Sequence, residues 1–98
     1  MGFVQIIEIE TTRPEAVEAL VGEWRTKTDG IRTAQRGTFS KDRDRPNAYV
    51  QIVEFPSYEE AMANSADPRT GEFAAELASI CTEGPTFRDL DVFWVDER

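Results

Sequence analysis

The chain has 98 residues and a formal charge of −8, from 11 Lys and Arg against 19 Asp and Glu, with one cysteine and no histidine. Its length matches a single domain over residues 1–98, because one core typically occupies ~100–150 residues, and no apolar run of ~18 residues is present to span a bilayer. Without histidine the chain lacks the usual imidazole base, the histidine-paired nucleophiles and the commonest ligand for zinc, copper and haem iron, while Cys81 alone cannot close an internal disulfide.

Met1-Gly2-Phe3-Val4-Gln5 lacks the basic segment and apolar stretch of a secretory signal, so the cytoplasm is the expected compartment. Residues 3–10, rich in β-branched side chains, predict a strand. Thr12 and Glu15 have the spacing of a capping box, and Val17, Leu20, Val21 and Trp24 recur at three and four, which predicts a helix over 14–28 stopped at Asp29-Gly30. Residues 31–40 read as an edge strand, and the polar run 41–47 as a loop closed by Pro46. Residues 48–55 form the strongest central-strand candidate.

Pro56 ends that strand, and Ser57 with Glu60 forms a second capping box opening a helix through Asn64. Asp67-Pro68 starts another helical piece, with Phe73, Leu77, Ile80 and Cys81 on one stripe and Gly84-Pro85 as its breaker. Residues 87–95, ending in Val92-Phe93-Trp94-Val95, predict the last strand.

Strand, helix, strand, strand, helix, strand is the ferredoxin-like βαββαβ order. The expected α+β fold is a four-stranded antiparallel sheet with helices on one face. Phe3-Val4, Ile6-Ile7, Ile52-Val53 and the run 92–95 offer apolar groups to both faces. A monomer would leave one of those faces wet, so a homodimer packed face to face through the open sheet is expected.

The charge is divided unevenly: residues 1–49 hold eight acidic and eight basic side chains, and residues 50–98 hold eleven acidic and three basic. The basic stretch of Arg32, Arg36, Lys41, Arg43 and Arg45 is interrupted by Asp42 and Asp44. Overall acidity opposes nucleic acid as a partner, and no Gly-rich phosphate loop or metal-spaced cluster is present. Neutral polar residues in central strands need partners, so Gln5 and Gln51 either pair, line a polar cavity or meet at a dimer seam. The bland roles are core packing for Trp24, a strand-end contact for Tyr58 and a helix stop for Asn64.

The passage Ala48-Tyr49-Val50-Gln51-Ile52-Val53-Glu54-Phe55-Pro56-Ser57-Tyr58-Glu59-Glu60-Ala61-Met62-Ala63-Asn64-Ser65 is a strand with an acidic-aromatic end followed by a capped helix. In this passage and in its strand order the chain resembles the antibiotic biosynthesis monooxygenase-like proteins of the dimeric α+β barrel superfamily. The resemblance implies a homodimeric barrel and oxidation of an aromatic or polyketide-like molecule without metal, flavin or other cofactor. The haem-binding and histidine-dependent branches of that superfamily do not fit a chain lacking histidine. By residue type it implies Asn64, Tyr49 and Trp24 as catalytic residues, with Gln5, Gln51, Tyr58 and Phe73 binding substrate. The family's tryptophan on the second helix has no counterpart between Tyr58 and Phe73. The alternative on the same fold is a non-enzymatic ligand-binding or interaction module.

Overall fold

A computed structural model describes residues 2–97. The elements are β1 (Phe3–Glu10), α1 (Pro14–Lys27), β2 (Arg36–Lys41), β3 (Ala48–Phe55), α2 (Tyr58–Ala66), α3 (Pro68–Ser79) and β4 (Glu83–Asp91). The sheet order is β2-β3-β1-β4, with every neighbouring pair antiparallel. This is the ferredoxin-like arrangement expected from the order of elements, with the second helical region divided at Asp67.

The pleat sorts the side chains. Phe3, Gln5, Ile7 and Ile9 stand opposite Phe55, Val53, Gln51 and Tyr49, so these eight share the face covered by helices. Phe3, Ile7, Ile9, Val53 and Phe55 join Val17 and Leu20 of α1, Ala61 of α2 and Leu77 of α3 in one buried cluster. Burying such aliphatic and aromatic side chains stabilises the fold by ~1.5–3 kcal/mol each. The opposite face carries Val4, Ile6, Val50 and Ile52 at its centre, all half-buried, with Leu90 beside them.

Local chemistry explains where elements begin and end. The Ser57 hydroxyl accepts from the Glu60 amide at 3.1 Å, and the Asp67 carboxylate accepts from the Arg69 amide at 2.9 Å. Asp67 also receives the Arg69 guanidinium, which holds its carboxyl below the usual carboxylate range. Both expected caps are present. The expected Thr12 cap is not: Arg13 is the N-cap of α1, without a side-chain bond. Instead, the buried Thr11 hydroxyl accepts from the Arg13 amide at 3.0 Å and donates to the Ile80 carbonyl at 2.7 Å. The start of α1 is thereby tied to the end of α3, and Thr12 faces solvent.

Two strands differ from their expected limits. β2 starts at Arg36 rather than Ile31, because the Ile31 and Arg32 amides are still bonded to the Thr28 carbonyl in a turn. β4 covers Glu83–Asp91 rather than residues 87–95. Its partner β1 is exhausted at Phe3, which stands opposite Asp91, and the Val92 amide makes a last bond to the Gly2 carbonyl. Phe93 and Trp94 then project into solvent at 88% and 74% exposure.

Gly84 does not serve as the helix breaker, because α3 already ends at Ser79. It sits in β4 at φ +86, where pairing with β1 shifts register between Glu8 and Glu10. A Cβ there would lie 2.7 Å from the Glu8 carbonyl oxygen. Gly84→Ala is therefore expected to lower stability by about 2 kcal/mol in urea unfolding. Gly22, in the interior of α1 with open space around it, should respond oppositely, Gly22→Ala adding up to ~1 kcal/mol.

Candidate functional site

Between the helix-covered face of the sheet and the three helices lies a cavity of about 270 Å3. Its floor is Gln5 and Ile7 of β1 with Gln51, Val53 and Phe55 of β3. Trp24 of α1 closes one side, Asn64 and Ser65 of α2 and Thr70, Phe73 and Ala74 of α3 form the roof, and Phe87 of β4 stands at the edge. No Asp, Glu, Lys or Arg lines this space among the described residues. Its polarity comes entirely from neutral amides, hydroxyls and the indole N–H.

Trp24 is positioned by the helical stripe that also buries Val17 and Leu20. Its Nε1–H donates to Thr70 Oγ1 at 3.3 Å, and its ring meets Phe73 at 5.7 Å between centroids. The Arg32 guanidinium lies 5.9 Å from its ring centroid, within the range where a cation is held by an aromatic face. Gln51 is 8% exposed and borders the cavity. Gln5 donates from Nε2 to Asp89 Oδ1 at 3.2 Å. Both glutamines thus face the helices and neither lies on the open sheet face.

A second cavity of about 330 Å3 adjoins the first, with Trp24, Gln51 and Val53 lining both. Its other walls carry Arg25, Arg32 and Arg36 together with Gln35 and Phe39.

Of the residues expected at the site, Asn64, Trp24, Gln5, Gln51 and Phe73 come together around the neutral cavity. Tyr49 and Tyr58 do not. Tyr49 shares the face of Gln51 but lies one pleat further along β3, where it stacks on Phe39 at 5.4 Å. Tyr58 is 53% exposed at the start of α2, with its ring edge-on to Phe3 at 5.6 Å. Sequence reasoning missed Thr70, whose place three residues before Phe73 on one helix face was a usable signal. It also missed the arginine wall, where Arg25 directly follows Trp24. Cys81 is half-buried against the core, and desolvation pushes its thiol pKa up. Among the described residues no group of three or more acidic or cysteine side chains could hold a metal ion, and no helix is long and apolar enough to cross a membrane.

The architecture matches known structures over almost its whole length. SnoaB, a cofactor-independent oxygenase from Streptomyces nogalater, superposes with a TM-score of 0.78 at 16% identity, covering 96% of this chain and 95% of that one. The fold is that of the antibiotic biosynthesis monooxygenase-like proteins. A Bordetella bronchiseptica protein bearing that family's name matches with a TM-score of 0.76 at 16% identity, over 95% of this chain and 98% of its own. A conserved protein of Methanosarcina mazei reaches 0.78 at only 6% identity, over 92% and 91% of the two chains. No family model matches the sequence, and the comparison with curated proteins found no match. The likeness resides in the backbone path, which these sequences reach with few residues in common.

Proposed function

We propose that the protein is a cofactor-free monooxygenase acting on an aromatic or polyketide-like small molecule held in the neutral cavity. The observation that carries this reading is the convergence of Trp24, Asn64, Gln5, Gln51 and Phe73 on one space between sheet and helices. An electron-rich phenol or anthrone can itself reduce O2 once it has lost a proton. One oxygen atom becomes a carbonyl on the ring, and the other leaves as water with two hydrogens of the substrate: both from the attacked methylene of an anthrone, or one from the attacked ring carbon and one from the hydroxyl of a phenol. The protein then has three tasks: to hold the ring, to offer hydrogen-bond donors to the developing anion and to exclude bulk water. Trp24 and Phe73 provide the first by their paired rings. The amide N–H groups of Asn64 and Gln51 provide the second, and the aliphatic floor of Ile7 and Val53 the third.

Oxygen uptake with anthrone or a dihydroxynaphthalene tests the reading. Wild type should exceed the protein-free rate, and Asn64→Ala should lower turnover by about 10- to 100-fold, the effect of removing one preorganised donor to a developing oxyanion. Equal slow uptake with and without protein would remove the oxygenase and leave the ligand-binding alternative.

The same reading includes a homodimer. The half-buried patch of Val4, Ile6, Val50 and Ile52, extended by Leu90 and edged by Arg36, Glu54 and Arg88, suits a second copy of the same face. Light scattering at micromolar concentration should give twice the 11.1 kDa chain mass. Ile52→Lys, which places a charge in the middle of that patch, should return the species to one chain without unfolding it.

A further inference from the structure

We propose that the neutral cavity and the arginine-lined cavity form one bipartite site for an aromatic carboxylate, its ring against the wall made by Trp24 and Phe73 and its anionic group beside Arg25 and Arg32. The inference rests on the aromatic-ligand reading above for the ring and adds the charge of the ligand. Three observations support it. Trp24, Gln51 and Val53 line both cavities, so the aromatic wall of one is also a wall of the cationic one. Arg32 is fixed there, donating from its guanidinium to the Arg25 carbonyl at 2.9 Å while lying 5.9 Å from the Trp24 centroid. Arg36 pairs with Glu54 at 3.6 Å, whereas Arg25 and Arg32 have no carboxylate partner among the described residues.

Such a pair of guanidinium groups stands out in a chain of net charge −8. Fixed cations beside a low-dielectric wall attract an anion of matching geometry, and the arginine fork suits a carboxylate in two-point contact. The acidic second half of the chain would repel anions elsewhere, so the field directs them toward this wall.

Isothermal titration with 2-naphthoate and with the neutral 2-naphthalenemethanol separates ring from charge. Naphthoate should bind wild type about tenfold more tightly than the alcohol, as expected for a charge-assisted hydrogen bond. Arg25→Gln and Arg32→Gln should each reduce that preference, and the double variant should abolish it while leaving alcohol affinity within about twofold. Arg43→Gln, which makes the same change in net charge on the loop between β2 and β3, should leave the preference intact. Circular dichroism verifies the fold of each variant, and Arg25→Gln, on the exposed surface of α1, provides a test if Arg32→Gln proves unstable. Equal affinities for the two probes, no binding of naphthoate, or an equal loss in Arg43→Gln would overturn the proposal. Carboxylate selectivity without oxygen uptake would uphold this site and remove the oxygenase, whereas uptake of neutral anthrone without carboxylate selectivity would do the reverse.

Discussion

Leu77→Ala is expected to lower the unfolding free energy by about 3 kcal/mol, toward the middle of the range for emptying a fully buried leucine site. Leu77 is 0% exposed and is the buried residue of α3, where it joins the same cluster as Val17 of α1 and Phe55 of β3. Its removal leaves a void where the helical layer meets the sheet, and the three elements around it are tied at other points and cannot all move inward. For a chain of this size the loss corresponds to a fall in melting temperature of more than ~10 °C. Urea unfolding measures it directly, with Ala78→Ser on the exposed side of α3 as the neutral comparison. A loss under ~1 kcal/mol would show that α3 is not docked through Leu77.

Trp24→Ala should weaken binding of an aromatic ligand such as 2-naphthol by about 30-fold, the effect of removing a central aromatic anchor. Trp24 forms the wall common to both cavities, meets Phe73 and holds Thr70 through its indole N–H. Trp24→Phe keeps a ring in place and forfeits the bond to Thr70, so its loss should stay within about fivefold. Trp94→Phe should change nothing, because Trp94 is 74% exposed beyond the end of β4. Titration calorimetry on the three variants distinguishes a wall that contacts ligand from a residue that only packs. Equal affinity in all three would assign Trp24 to the core alone.

Much of the fold was legible in the sequence because its signals are local. Ser57 and Asp67 declare helix starts through their own side chains, and alternation in 48–55 assigns Gln51, Val53 and Phe55 to one face without reference to the rest of the chain. The end of β4 was not legible. Val92-Phe93-Trp94-Val95 has strong strand propensity, but a strand lasts only as long as its neighbour, and β1 stops opposite Asp91. The Thr12 cap failed for a related reason: Thr11, one residue earlier, is held by the Ile80 carbonyl 69 residues away.

The candidate site shows the same division. Alternation gives the face a residue occupies but not its distance along the strand. Tyr49 and Gln51 share a face, yet the ~7 Å between them places one against Phe39 and the other beneath Trp24. Trp24 and Phe73 were recoverable because each lies on the inner stripe of its helix, whereas Asn64 was reached only through the family resemblance. The arginine wall was hidden because Arg25 and Arg32 belong to a helix end and a turn, which become neighbours only when the chain doubles back between α1 and β2.

The neutral lining of the first cavity determines whose acidity a turnover experiment would report. With no titratable side chain bordering that space among the described residues, proton loss from a bound phenol or anthrone has no protein base at its side. The rate should therefore rise with pH along the ionisation curve of the molecule being oxidised, and its midpoint should move when the substrate is replaced by one of different acidity.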